Sequence, residues 1–483
     1  MVPPAGEHDC DWKDYALALQ KHLADVAEKQ KEQQEQLDAL KQKLFGRSRE
    51  KMPPMSREVK RGTEPDPEKS KRTREANAEL RAKKVETELV DVSVPPAARH
   101  CPKCDGRDFA PLGDGKPSSV TEYVPGYFRK RIFRRETLAC SCGQHVVTAP
   151  VPDKVFDRTQ YGPGFLAHLV VSKCCDSIPI YRIEQQFARL GVPMARSTMN
   201  ELFHRAGEVL TPIAQRILAL IAQSNIVLAD ETPLPMQDTR KSPYIWTFIA
   251  DNLIAYRFSL SRSGETPKAI LGGTQGTLVV DMYTGYNAII GVQGRERAGC
   301  LSHARRKFFK ALPSAAEAQV ALELIRDIYV LEDQAKQAGD RGNPKHARLR
   351  REECLPLMDK LYVWLSEQKP LHPPKSVMGK AIQYSMKNWQ ALTRFITSPQ
   401  IPPDNNRSER ALRVVALGRK NYLFVGSKEG GENLAALYTV VATCVANEVE
   451  PIAYLTDVLT RLDSTPVTQI DTLLPQNWVP PPP

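Results

Sequence analysis

No stretch of this 483-residue chain approaches the roughly 18–20 consecutive apolar residues of a membrane span. The longest near-apolar run, Leu434 to Ala446, is interrupted by threonines and predicts a buried helix. The N-terminus lacks the charged-then-apolar pattern of a secretory signal. A disulfide framework is missing too. Of ten cysteines, Cys10, Cys174, Cys175, Cys300, Cys354 and Cys444 are scattered, and only the other four cluster. These absences exclude a membrane protein and a disulfide-stapled scaffold, and predict a soluble, cytoplasmic protein. Acid is in deficit: 67 Lys and Arg stand against 56 Asp and Glu, a net charge of +11. That balance suits a polyanionic partner such as nucleic acid.

The chain is long enough for several domains, and its patterning predicts a multidomain α+β protein. Residues 11–46 read as a coiled-coil helix. Ala16, Leu19, Leu23, Val26, Leu37, Leu40 and Leu44 share one three-and-four seam, Gln30 and Gln33 weaken its middle, and Gly46 ends it. Residues 47–84 read as a basic linker, with seven basic and two acidic residues from Lys69 to Lys84. Residues 85–150 form a cysteine-bearing module. Residues 155–222 read as a helical, helix-turn-helix-like domain. In it Arg182–Leu190 is one helix, Gly191-Val192-Pro193 a turn, and Ser197, just after Arg196, the cap of a second helix. A strand-rich core follows in two parts, 223–305 and 401–465. A helical insertion at 306–400 separates them, and a tail runs from 466 to 483.

The cysteine module holds Cys101-Pro102-Lys103-Cys104 and Cys140-Ser141-Cys142-Gly143. Two close pairs joined by a strand-rich loop predict a zinc ribbon, in which Cys101, Cys104, Cys140 and Cys142 hold a structural Zn²⁺. The tight second pair leaves His100 and His145 as spare ligands. Bound zinc would supply folding energy to so small a module. Between the pairs, Tyr127 and Phe128 precede Arg129, Lys130, Arg131, Arg134 and Arg135, a mixture suited to nucleic acid.

Ile226–Ala229 is an apolar run ending in Asp230. Tyr244–Ala250 and Ile254–Leu260 flank Asp251-Asn252 as a hairpin. Thr266 opens a short helix with Pro267 first. Leu278–Val280 ends in Asp281, and Ala298–Leu301 reads as a fifth strand. Strand, hairpin, helix, strand is the order of a ribonuclease-H-like mixed sheet, with Asp230 on the central strand and Asp281 just after the fourth. A third acidic motif, Asp404-Asn405-Asn406-Arg407-Ser408-Glu409-Arg410, reads as a helix start, with Asn405 and Asn406 as caps. Within it Glu409 is preferred to Asp404. Side-chain alternation turns Glu231 away if Asp230 faces the site. Three carboxylates delivered this way suit two divalent ions roughly 3.5–4 Å apart, as phosphoryl transfer requires. Arg305 and Arg306, beside His303 and Lys307, and Arg407, Arg410, Arg413, Arg419 and Lys420 are candidates to grip a DNA backbone.

With these motifs the chain resembles the transposases of the insertion sequence sixty-six family, DDE-type enzymes of bacterial mobile elements. The resemblance runs through Leu40-Lys41-Gln42-Lys43-Leu44-Phe45-Gly46-Arg47, the Cys101–Cys104 ribbon, and Tyr161-Gly162-Pro163-Gly164-Phe165-Leu166-Ala167-His168. It continues at Ile180-Tyr181-Arg182, Arg196-Ser197-Thr198, Ala229-Asp230-Glu231-Thr232-Pro233 and Tyr283-Thr284-Gly285-Tyr286-Asn287. His303-Ala304-Arg305-Arg306-Lys307-Phe308, the Asp404–Arg410 motif and Leu417-Gly418-Arg419-Lys420-Asn421-Tyr422-Leu423-Phe424 complete it. The resemblance implies that Asp230, Asp281 and Glu409 are the catalytic, metal-binding triad. It implies a ribonuclease-H-like core with a helical insertion and Mg²⁺ or Mn²⁺ as the working ion. The chain departs from the family in its C-x-C second pair, where C-x-x-C is usual, and at Tyr422 and Val414, where Trp and Pro are more common.

The expected function is therefore a transposase that binds element ends, cuts DNA strands and joins the 3′ ends to target DNA. The coiled coil would pair two subunits, the ribbon and helix-turn-helix would read terminal inverted repeats, and accessory proteins of the element could assist. The enzyme would associate with the nucleoid when bound to DNA. Two alternatives stand beside it: a catalytically silent DNA-binding regulator derived from a transposase, and a nuclease acting on RNA.

Overall fold

Short β-branched and aromatic runs build the central sheet. The computed structural model describes residues 161–237, 243–291 and 294–480, with a few helical positions between 17 and 34, the backbone of two short strands, and isolated residues elsewhere before 161. The chain divides into two compact units, 1–40 with 128–483, and 41–127; the second lies almost wholly outside the described residues. So do the four ribbon cysteines, the basic linker, and Arg131, Arg134 and Arg135. Strands β1 (Thr137–Ala139) and β2 (Val146–Thr148) pair antiparallel. Of the expected coiled-coil seam, Leu23 and Val26 are helical and exposed.

The main sheet comprises β3 (Ile226–Pro233), β4 (Tyr244–Ala250), β5 (Leu253–Ser259), β6 (Gly276–Val279) and β7 (Arg295–Ala298), in the order β5-β4-β3-β6-β7. β3, β4 and β5 are antiparallel, and β6 and β7 add in parallel. Asp251, at φ 45°, turns the β4–β5 hairpin in the left-handed region that aspartate tolerates. Gly276 opens β6 at φ 113°, where a Cβ would lie 2.2 Å from the Asn225 carbonyl oxygen, so a side chain cannot enter. The fifth strand ends at Ala298, three residues earlier than the sequence suggests, because Leu301 already begins a helix.

Two hydrophobic cores cover the two faces. One gathers Val227, Ala229, Leu278 and Val280 with the long helix α3 (Arg196–Gln223) and the buried helix at Lys428–Ala446. α3 is preceded by α1 (Pro163–Cys174) and α2 (Ile180–Arg189). The helix pair α2–α3 occurs with its turn, but α3 starts at Arg196 behind Ala195, with no side-chain cap. Ser197 is therefore not its cap. The other core gathers Leu228, Ile249, Val279 and Ala298 with helices of the 301–400 segment. These include α5 (Leu301–Ala311), α6 (Ala318–Gln337), α7 (Leu355–Gln368) and α8 (Val377–Lys387), after the short α4 (Glu265–Leu271) of the first part. Arg350 anchors this second body. Fully buried, it pairs with Glu332 at 2.6 and 2.7 Å and donates to the Phe395, Ser398 and Ile401 carbonyls.

After residue 400 come α9 (Asn406–Ala411), α10 (Arg413–Tyr422), α11 (Lys428–Ala446) and α12 (Pro451–Arg461). α11 explains its own threonines. Thr439 Oγ1 accepts from Tyr256 N–H at 2.8 Å, and Thr443 Oγ1 accepts from Ile254 N–H at 3.2 Å. The hydroxyls thus occupy backbone donors of β5, a sheet edge that would otherwise invite another strand. Gly207 of α3 lets this helix approach; a Cβ there would meet Asn433 at 2.8 Å. No helix among the described residues is long and apolar enough to cross a membrane.

Candidate active site

Strand alternation decides which carboxylates can meet. Leu228 and Val279 share one face of the sheet, so Asp230, two residues further along β3, projects to that same side; Asp281 lies two residues past the end of β6. Val227 and Ala229 mark the other face, to which Glu231 belongs. Its side chain, 1 % exposed, is held there by Arg262 at 2.6 and 2.9 Å and by the Tyr286 hydroxyl at 2.7 Å. Tyr286 in turn meets Trp246 edge-on, and Arg262 stacks on Tyr283 at 3.9 Å. Burial pushes the Glu231 carboxyl up, and the Tyr286 and Arg262 bonds pull it back.

The third carboxylate reaches the sheet through Asn405. Its side-chain amide donates to the Ala229 carbonyl at 2.8 Å, one residue before Asp230, and its backbone N–H donates to Cys300 Sγ at 3.2 Å. Asn405 is therefore a buried staple joining α9 to β3 and α5, not a side-chain cap. Asp404 fills the capping role, accepting from Asn406 N–H at 3.0 Å. It also accepts from Tyr329 and Ser302 hydroxyls at 2.8 and 3.3 Å, so its oxygens are committed to the fold. One turn along α9, Glu409 faces Arg306 and His303 of α5.

Electrostatics set Asp230 apart. Asp230 is pushed up to about 7, first by burial, then by Glu231, with Asp281 and Glu409 adding to the same effect; only its bond from Glu231 N–H opposes this. Asp281 is oriented by Tyr283 N–H at 2.9 Å. Glu409 pairs with Arg306 of α5, and its Oε1 lies 3.8 Å from His303 Nδ1. Burial and the Arg306 charge lower His303, and Glu409 and Asp281 oppose them. Burial pushes the Cys300 thiol up to about 12. Among the described residues, the set of three His, Cys, Asp or Glu side chains whose ligand atoms all lie within 4.8 Å of one another is Cys300, His303 and Glu409. Asp281 and Glu409 each act on Asp230 through their charge, but the three carboxylates do not form such a set.

The expected DNA-gripping residues divide in two. Arg129, Arg410, Arg413 and Lys420 are exposed, and Arg196 is exposed but paired with Glu184 at 2.8 Å. Arg305 is half-buried. Arg306, Arg407 and Arg419 are engaged inside the protein: Arg306 with Glu409, Arg407 with the Asp251 carbonyl, and Arg419 with the Pro233 carbonyl at the end of β3. Their first task here is to position the site's elements.

The family described as "Transposase IS66 family" matches residues 158–433, and "IS66 C-terminal element" matches 439–476. The chain belongs to the IS66 family of transposases. Three proteins of Sinorhizobium fredii (strain NBRC 101917 / NGR234) are similar to it, each named as uncharacterized. y4jD is 32 % identical over 80 % of this chain and 80 % of its own length. y4hP is 29 % identical over 82 % and 75 %, and y4qI is 30 % identical over 78 % and 74 %. The family match spans every described element from α1 to α10, so the Asp230, Asp281 and Glu409 motifs all lie within it. Membership carries a transposase role, DNA as its partner and a general use of divalent metals by DDE enzymes.

Sequence reasoning did not foresee the Glu231–Arg262–Tyr286 lock or the Asn405 staple. Both had a signal: Tyr286 and Asn405 lie inside the motifs that carry the family resemblance.

Proposed function

We propose that this IS66 protein cleaves DNA strands at the ends of its mobile element and joins the freed 3′ ends to target DNA, using Asp230, Asp281 and Glu409. The observation that carries this reading is the elevated Asp230. A carboxyl driven to about 7 by burial first, then by Glu231, with Asp281 and Glu409 adding to the same effect, sits in a concentration of negative charge that a divalent cation relieves. The donor set is oxygen only, which suits Mg²⁺ or Mn²⁺. Two such ions, when bound, supply Lewis-acid stabilisation of the attacking and leaving oxygens.

The chain's own residues then have distinct tasks. β3 carries Asp230, the segment after β6 carries Asp281, and Asn405 holds the start of α9 against β3. Glu409 is taken up by Arg306 in this conformation, so loading the centre requires it to leave that arginine. Exposed Arg410, Arg413 and Lys420 are placed to contact phosphates. The sheet order supports a ribonuclease-H-like core in two parts, 223–305 and 401–465, with 306–400 as its insertion. We further propose that 11–46 pairs subunits, that 85–150 is a zinc ribbon, that 155–222 contacts DNA through α2 and α3, and that the ends bound are terminal inverted repeats.

The test is strand cleavage and strand transfer on end-bearing duplex DNA with Asp230→Ala. Loss of both in a folded variant is expected. Undiminished activity would remove Asp230 from catalysis. Absence of Mg²⁺-dependent nicking by the wild type, with DNA binding intact, would favour a silent regulator. Preferential cutting of RNA–DNA hybrids would favour a nuclease acting on RNA.

A further inference from the structure

We propose that Cys300, His303 and Glu409 form a binding site for one soft divalent cation of the zinc class, and that this ion competes with the Asp230–Asp281 centre for Glu409. The competition rests on the catalytic reading above; the site itself does not.

The geometry comes from two helix starts. Cys300 immediately precedes α5 and His303 lies three residues on, a spacing that puts both on one side of the first turn. α9 delivers Glu409 opposite them, and the Asn405 N–H to Cys300 Sγ bond fixes the two helix starts together. The three ligand atoms lie within 4.8 Å of one another. His303 Nδ1 is buried without a hydrogen-bond partner and faces Glu409 Oε1 at 3.8 Å. A buried ring nitrogen with no partner loses its hydration without return, and a metal is the partner this surrounding offers it. Thiolate, imidazole and carboxylate together are a zinc-type donor set; Mg²⁺ prefers oxygen throughout.

Binding is balanced in charge and atoms. The Cys300 thiol gives up its proton to solvent as the sulfur–metal bond forms, and His303 donates a neutral nitrogen. Glu409 exchanges Arg306 for the ion. Two anionic ligands then neutralise one dication. Since Glu409 serves either the thiolate–imidazole pair or the aspartate pair, the two fillings exclude one another, and each must weaken the other to the same degree.

The experiment counts zinc bound to the purified full-length chain by equilibrium dialysis, with Co²⁺ substitution to read sulfur-to-metal absorption. Wild type is compared with Cys300→Ser, His303→Gln and Asp230→Asn. Any zinc held by the four ribbon cysteines is common to all and cancels. We expect one zinc equivalent fewer in C300S and in H303Q, and none lost in D230N. Equal counts in all four proteins would overturn the site. H303Q, at a half-buried position, gives the answer if C300S fails to fold. Saturating Mg²⁺ should weaken the extra zinc equivalent at least about threefold, since linkage is reciprocal; no change would overturn the competition. If the zinc equivalent is lost as expected but Asp230→Ala still cuts DNA, the catalytic reading fails and the metal site stands. The reverse pair of results separates them the other way.

Discussion

Replacing Asp230 with Asn should make this protein more stable, not less, at neutral and alkaline pH. The reason is its elevated titration, from an ordinary 3.8 to about 7. Below the lower value both the folded and the unfolded chain hold the proton, and the carboxyl contributes nothing to pH dependence. Between the two values the unfolded chain has released its proton while the folded one retains it. Stability therefore falls as pH rises, by roughly 1.4 kcal/mol per pH unit. Above about 7 the loss is complete and constant. The full interval corresponds to about 4 kcal/mol, and partial solvent screening at this half-buried site reduces it to about 2 kcal/mol. Asn keeps an acceptor for Glu231 N–H and removes the charge.

The assay is thermal unfolding of wild type and D230N across pH, with and without Mg²⁺. At roughly 2 °C or more per kcal/mol, D230N should melt about 4 °C higher near pH 8 and equal the wild type near pH 4. Mg²⁺ should raise the wild-type melting temperature near pH 8, because a ligand that binds only the folded state stabilises it, and should raise D230N much less. A D230N protein that melts lower than wild type near pH 8, or gains equally at all pH values, would refute the view that Asp230 carries an uncompensated charge.

Other perturbations separate positioning from contact. Asn405→Ala leaves the buried Ala229 carbonyl without its amide partner and should cost about 1–3 kcal/mol in urea unfolding, with cleavage falling further than stability accounts for. Tyr286→Phe removes one hydrogen bond from buried Glu231 and should cost about 1–2 kcal/mol, read the same way. Arg350→Met strips Glu332 of its bidentate partner, leaving only His346 beside it, and leaves three carbonyls unpaired; a loss of about 3–5 kcal/mol is expected, and a near-neutral result would deny that this arginine anchors the helices of the 301–400 segment. Arg410→Ala and Lys420→Ala should each lower the salt slope of DNA binding by about 1 with little change in melting. Arg419→Ala should instead lower the melting temperature, because its guanidinium holds the end of β3.

Much of the sheet was readable because its causes are local. Ile226–Ala229, Tyr244–Ala250 and Leu278–Val280 are apolar runs that only a buried strand accommodates, and Asp251-Asn252 is a turn signal at any location. Period two also predicted that Asp230 and Glu231 part company, which the Arg262 and Tyr286 contacts bear out. The fifth strand was misplaced because Ala298-Gly299-Cys300-Leu301 is apolar for two different reasons. Ala298 ends a strand, while Leu301 begins a helix that packs on the same core. Residue type alone makes Ser197 and Asn405 caps. Cap chemistry is local, but the helix start is set by tertiary packing, which moved one helix to Arg196 and turned the Asn405 amide toward a strand 176 residues away in sequence.

The arginines show where local reading ends. Arg306, Arg407, Arg410 and Arg419 are the same residue type in equally basic surroundings, and by charge alone all four belong to the DNA. Their partners are set by distance through the fold: a carboxylate on another helix, the Asp251 carbonyl of a hairpin turn, and the Pro233 carbonyl ending a strand take three of them. Only Arg410 stays exposed. An engaged arginine is not thereby excluded from the DNA, but it must exchange a protein partner for a phosphate. Arg306 is the decisive case, since releasing it frees Glu409. If phosphate draws Arg306 away, DNA arrival and completion of the carboxylate centre become one event, and Mg²⁺ affinity should rise when DNA is bound. An Arg306→Gln protein, lacking the ion pair, should bind Mg²⁺ without that dependence on DNA. Equal dependence in both proteins would show that Arg306 does not couple the two.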